Sequence, residues 1–93
     1  EMFVDNETSK SFSIASNIYA NLWQIYPANN NESYHRKIKY ARGSLGEAND
    51  NFLPCGSLIE VAYHDNTEDA AWIVNNLEEI GVNIAKSIIN YYK

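Results

Sequence analysis

The chain has 93 residues, of which 45% are hydrophobic and 13% are aromatic, and its formal net charge is −5. This length and composition predict a single domain over residues 1–93 with enough apolar side chains for a core, and they exclude intrinsic disorder. The acidic balance argues against a general attraction of the surface to nucleic acid or anionic lipid. No apolar run approaches the roughly 18 residues that would span a bilayer, so we expect no membrane contact.

The single cysteine, Cys55, cannot form an internal disulfide. Structural disulfides are typical of secreted proteins, and the first residues lack the basic start and long apolar run of a signal peptide. A cytoplasmic location is therefore expected.

The first predicted helix runs from about Asp5 to Tyr26. Asp5 is a suitable N-cap, and Glu7 lies in the first turn, where a negative charge favours the positive end of a helix. Pro27 ends the helix, because the residue before a proline avoids the helical conformation. The apolar band between Phe12 and Tyr26 is wide, which predicts contact with two neighbours.

The second predicted helix begins near Glu32 or Ser33 and reaches Phe52. Gly43 and Gly46 would each cost about 1 kcal/mol relative to alanine inside it. They either allow a partner helix to approach closely, the interpretation we favour, or weaken the helix at its middle. The apolar residues recur at alternating gaps of four and three, typical of one helical face: Tyr34, Ile38, Ala41, Leu45, Ala48 and Phe52.

Pro54 and Gly56 interrupt this segment. Residues 58–63 then form either a bent continuation of the helix or a short strand, and a helical turn is favoured because a lone strand has no obvious partner. Asn66 or Thr67 caps the third helix. Its apolar seam has heptad-like spacing through Ala70, Val74, Leu77, Gly81, Ile84, Ile88 and Tyr91.

These elements predict an all-α fold, an up-down helical bundle with three helices in this chain. The apolar bands are wider than a bundle of this size needs. Exposed apolar surface of that kind usually contacts another helix or another subunit.

Residues suited to catalysis or metal binding are few. Glu32 with His35, and Glu60 with His64, have the spacing of metal ligands on one helix face, but a di-iron bundle needs more carboxylates than these. Cys55 near His64 lacks a recognisable orienting group. We therefore expect neither enzymatic activity nor a metal or cofactor.

Basic residues cluster on one side of the second predicted helix: His35, Arg36, Lys39 and Arg42. Such a flank could follow a phosphate backbone, or it could be an ordinary solvated face balanced by Glu32 and Glu47. The acidic charge of the whole chain disfavours nucleic-acid contact.

Two short motifs carry a resemblance to a known family. Their matching residues are Ser13, Ile14, Ser16, Asn17 and Ile18, then Ala41, Arg42, Gly43, Ser44, Leu45 and Glu47. They resemble the four-helix-bundle proteins of ribosomal-RNA intervening sequences, which are related to the accessory variability determinant (Avd) of diversity-generating retroelements. The chain departs from the first motif at Ala15, where the family has proline, and at Tyr19-Ala20-Asn21, where it has Ala-Glu-Gly.

The resemblance implies a four-helix bundle whose first helix has no counterpart in this chain, so the sequence could be a fragment. It implies a homo-oligomer, often a pentamer, without enzymatic activity. The expected function is a non-enzymatic interaction scaffold or accessory subunit with a protein partner. The alternative is a nucleic-acid-binding accessory factor of a reverse transcriptase that uses the basic flank. Within the bundle, Asn17 and Ser44 would face each other.

Overall fold

The computed structural model describes residues 1–32, 37–53, 55–62 and 66–93. Within these ranges it contains a 3-10 helix, Gly46–Ala48, together with strands β1 (Met2–Val4), β2 (Ile38–Tyr40) and β3 (Leu58–Ile59) and helices α1 (Phe12–Ile25), α2 (Thr67–Asn75) and α3 (Leu77–Tyr91). The fold is α+β, so the prediction of an all-α, up-down bundle is wrong.

The three strands form one mixed sheet in the order β2-β1-β3. β1 is parallel to β2, and Phe3 lies opposite Lys39. β1 is antiparallel to β3, and Phe3 lies opposite Leu58. A parallel pair needs a crossover connection, and α1 lies in the connection between β1 and β2. The first residues, for which no strand was predicted, form the central strand.

The segment that follows β1 is held by Asp5, which was predicted to cap a helix. Its two carboxylate oxygens accept hydrogen bonds from the backbone nitrogens of Gly43, at 2.7 Å, and Asp50, at 3.0 Å. The backbone nitrogens of Ala41 and Arg42 donate to the carbonyls of Val4 and Asp5, each at 2.8 Å. α1 therefore begins only at Phe12, while its predicted end before Pro27 is confirmed.

The second predicted helix is absent from the described residues between 37 and 53. Lys37, Arg42 and Gly43 have positive φ angles of 61°, 50° and 85°, which an α-helix cannot contain. The chain forms β2, turns at Arg42 and Gly43, and continues into the 3-10 helix. Gly43 thus lies in a turn and Gly46 begins the 3-10 helix, so our favoured interpretation of close helix packing was wrong.

The third predicted helix is confirmed over most of its length, but it is broken at Asn76 into α2 and α3. The Asn66 side chain accepts a hydrogen bond from the Asp69 backbone nitrogen at 3.0 Å, so the predicted N-cap is correct. Leu58 and Ile59 form a strand because β1 supplies the partner that was not anticipated. The helical turn predicted at 58–63 is wrong over these two residues.

The core lies where β1 meets α1 and α3. Alternate side chains of β1 point into it, as the period of a strand requires. Phe12, Ile38 and Trp72 are among the partly buried residues that pack around its buried members, which are Met2, Val4, Ala15, Ile18, Leu22 and Ile80. Over the described ranges, no helix has the length and apolar character needed to cross a membrane.

Gly56 provides a test of how closely the chain before β3 packs against residues 47–53. A Cβ atom placed there would overlap the Glu47 carbonyl oxygen and lie 2.9 Å from the Leu53 Cβ, whereas a Cβ at Gly46 would meet nothing within 4 Å. We expect Gly56→Ala to lower the free energy of unfolding by about 1–3 kcal/mol. The matched Gly46→Ala should change it by less than about 1 kcal/mol. Urea unfolding followed by circular dichroism measures both, and equal midpoints would contradict the packing.

Candidate functional site

α3 has one face packed against α1 through polar side chains. Ser87 is buried, with 1% of its surface exposed. Its carbonyl accepts a hydrogen bond from the Asn17 side chain at 3.0 Å, and its hydroxyl accepts one from the Asn21 side chain at 2.8 Å. The Asn83 side chain in turn donates to the Asn21 carbonyl at 3.3 Å. Together with buried Ile80, these contacts determine which face of α3 is turned toward the core.

The neighbouring face of α3 is apolar and open to solvent. Its large side chains are strongly exposed, at 65% for Leu77, 39% for Ile88 and 70% for Tyr92. Gly81 and Ala85, both exposed, lie between them. At 100° per residue these positions form one continuous line along the helix. We call this line the α3 stripe: Leu77, Gly81, Ala85, Ile88 and Tyr92.

Several residues of the predicted heptad-like seam therefore lie outside the core. Val74 and Leu77 were expected to pack within the domain, but both are exposed. For Leu77 the reason is that Asn17 and Asn21 of α1 bind the Ser87 side of α3. Ile84 is half-buried, at the border between the packed face and the stripe.

Charged side chains of both signs accompany the stripe. Glu78 and Glu79 occupy the first turn of α3, where negative charge is favourable. Lys86 lies in the second half of the helix, and Lys93 lies just after its end. All four are exposed. One end of the helix is thus acidic and the other basic.

The basic flank is not carried by a helix where the structure describes it. Lys39 is an exposed residue of β2, and Arg42 lies in the turn that follows. His35 and Arg36 lie outside the described residues. The helical arrangement predicted for this flank is therefore wrong at Lys39 and Arg42, and contact with nucleic acid stays a prediction.

Arg42 already has a partner of opposite charge. Its guanidinium group donates to the Glu7 carboxylate at 2.8 Å and lies 5.4 Å from the centre of the Tyr40 ring. The hydrogen bond from Arg42 lowers the pKa of Glu7, and the same bond raises the pKa of Arg42. Both side chains are exposed, so the pair adds little stability but partly neutralises the charge that a polyanion would meet.

The first family motif lies on α1. Ile18 is in the core and Asn17 binds the Ser87 carbonyl, as described above. The Ser16 hydroxyl donates to the Phe12 carbonyl, Ile14 is half-buried and Ser13 is exposed.

The second family motif lies in the turn and the 3-10 helix. Ala41 is buried, Leu45 is half-buried and Glu47 is exposed. The Ser44 hydroxyl donates to the Ala41 carbonyl at 2.6 Å. The expected contact between Asn17 and Ser44 is wrong, because each side chain has a different partner.

Residues considered for chemistry are scattered in the structure. Cys55, Glu32 and Glu60 are exposed, and His35 and His64 lie outside the described residues. No three histidine, cysteine, aspartate or glutamate side chains are grouped to hold a metal ion within the parts of the chain that are described. The expectation that the protein has no enzymatic activity stays a prediction.

No protein-family model, curated protein or solved structure matches this chain. The resemblance to the proteins of ribosomal-RNA intervening sequences and to Avd stays a prediction. The all-helical fold that it implies is contradicted by the sheet.

We predict no detectable binding to duplex DNA or RNA at about 150 mM salt, because the chain is acidic and Glu7 neutralises Arg42. A mobility-shift titration at this salt concentration measures it. A low-micromolar complex that is lost when Arg36, Lys39 and Arg42 are all replaced by glutamine would contradict the prediction.

Proposed function

We propose that this protein is a non-enzymatic interaction domain that self-associates through the α3 stripe, with two copies of α3 packed antiparallel. The observation that carries the proposal is the exposure of a continuous apolar line on a helix whose neighbouring face is already packed. Large apolar patches on a small soluble domain usually mark an interaction surface. A second copy of the chain is the occupant that the stripe fits best.

The order of large and small side chains supports this choice. In an antiparallel pair, Leu77 lies opposite Tyr92 of the second copy, and Gly81 lies opposite Ile88 of the second copy. The half-buried Ile84 then meets Ala85 of the second copy. Ile88 and Ile84 are thus each matched with a small residue, and Leu77 packs against Tyr92 at the ends of the pair. A Cβ atom at Gly81 would touch nothing within 4 Å in the monomer, so this position has room for Ile88 of the second copy.

The charges along α3 also favour the antiparallel arrangement. The acidic end with Glu78 and Glu79 would approach the end that carries Lys93 in the second copy, whereas a parallel pair would place like charges together. The two helix dipoles would also oppose each other, which is favourable. A self-complementary surface of this kind closes as a two-fold dimer, so we propose a dimer in place of the expected pentamer.

The size of the stripe limits the strength of the dimer. α3 has 15 residues, so it is about 22 Å long and about 10 Å wide. Such a face covers roughly 220 Å², about a quarter of the ~800 Å² per partner in a standard stable interface. We therefore expect a dissociation constant on the order of 100 µM, with dimers forming only in concentrated solution.

The test is sedimentation equilibrium from about 10 µM to about 1 mM, a range that brackets the expected constant. The mass of the wild-type protein should rise from the monomer value of 10.6 kDa toward twice that value. Ala85→Glu places a charge at the centre of the stripe and should keep the protein monomeric, because an unpaired charge in an apolar interface is costly.

Asn90→Glu is the matched control, since it adds the same charge to the same helix at an exposed position away from the stripe. It should dimerise like the wild type. A wild-type protein that remains monomeric at the highest concentration, or three proteins with the same behaviour, would refute the proposal.

A further inference from the structure

A cleft of about 260 Å³ lies between the second half of α1, the start of α2 and the strand pair β1–β3. Its described lining shares no residue with the α3 stripe. Drug-sized ligands usually occupy sites of roughly 300–1,000 Å³. The volume is therefore suited to one small head group or the end of one side chain.

Aromatic rings dominate the walls of the cleft. Tyr19, Trp23, Tyr26 and Trp72 all line it. Trp23 and Tyr26 stack with ring centres 5.8 Å apart, and Tyr26 meets Trp72 edge to face at 5.3 Å. These contacts hold rings from α1 and α2 around one opening, and the electron-rich faces of such rings attract cations.

Carboxylates complete the lining. Asp69 is 8% exposed, and its Oδ1 accepts a hydrogen bond from the Tyr26 hydroxyl at 2.6 Å. Its backbone nitrogen is fixed by the Asn66 side chain at the start of α2. Glu1 and Glu60 also line the cleft, and the amino group of Glu1 donates a hydrogen bond to the Glu60 carbonyl at 2.8 Å. No lysine or arginine side chain belongs to the described lining.

We propose that the cleft binds an organic cation, an alkylated ammonium group such as a trimethylammonium. Methyl groups on the nitrogen would pack on the tryptophan and tyrosine rings, while the positive charge would face the Asp69 side. The charge of the Asp69 carboxylate would attract a cation and repel an anion. The group could belong to a free small molecule or to a modified lysine of a partner protein.

The chain has two tryptophans, and both line the cleft. Their indole N–H signals in two-dimensional NMR spectra therefore report directly on its occupancy. The probes are choline and its neutral isostere 3,3-dimethylbutan-1-ol, which share a shape and differ in charge. We expect choline to shift both signals saturably, with a dissociation constant on the order of 1 mM. The isostere should bind at least about tenfold more weakly.

Two substitutions test the roles of the charge and the rings. Asp69→Asn keeps the size and an acceptor for Tyr26 but removes the charge, and Trp72→Leu removes one ring. Each should weaken choline binding by about threefold to thirtyfold. Glu47→Gln is the matched control, because Glu47 is exposed and outside the cleft lining; it should leave the affinity unchanged.

Equal binding of choline and the isostere to the wild-type protein would overturn the proposal. The absence of saturable binding up to about 100 mM choline, a concentration far above the expected dissociation constant, would overturn it too. Unchanged choline affinity in folded Asp69→Asn would also overturn it. The comparison of the two probes needs no variant, so a substitution that prevents folding leaves the test intact.

A second titration identifies the source of the cation. A short peptide with trimethyllysine that binds at least about tenfold more tightly than choline, while the unmodified peptide does not, would support a protein partner. Equal affinity for the peptide and choline would support a free small molecule. Both results support the shared chemistry of the site.

Discussion

The structure depends on one anchoring interaction, the attachment of the segment 37–50 to the first five residues. β1 supplies the backbone groups that pair with β2 and with the turn after it, and the Asp5 carboxylate fixes the backbone nitrogens of Gly43 and Asp50. A hydrogen bond to a charged group contributes about 1.5–3 kcal/mol. A domain of this size is stabilised by about 5–15 kcal/mol in total, so these two bonds are a substantial part of its stability.

This anchor also positions the two surfaces on which the proposals rest. β1 lies across α1 in the core, and α1 carries both the asparagines that orient α3 and the aromatic residues of the cleft. Because Ser87 is held by Asn17 and Asn21, the apolar stripe of α3 must face solvent. Because α2 begins at the Asn66 cap, Asp69 and Trp72 lie in its first two turns, opposite Tyr26.

Local sequence signals predicted the elements that depend on local interactions. Pro27 ends α1, Asn66 caps α2, and the apolar spacing after Thr67 gave the helical region of α2 and α3. The same method failed between Ile38 and Phe52, where apolar residues with helical spacing belong to a strand, a turn and a 3-10 helix. A strand needs a partner, and the partner of β2 is β1, which lies at the other end of a long crossover.

The two candidate surfaces differ in how far the sequence revealed them. The spacing through Leu77, Gly81 and Ile88 identified an apolar line, but only the contacts of Ser87 show that it points outward. The cleft was missed, because Trp23 and Tyr26 were interpreted as part of one wide apolar band. Its one local sign is Asp69 placed three residues after the Asn66 cap, and that pattern by itself predicts only the start of a helix.

The central claim is that residues 38–40 form a strand beside β1. Backbone NMR assignment measures it directly, through the secondary chemical shifts of Ile38 to Gly43 and proton contacts between the two strands. Extended shifts at 38–40, together with contacts between Phe3 and Lys39, are the result that this structure predicts. Continuous helical shifts through Arg42 and Gly43, without contacts to the first five residues, would contradict it.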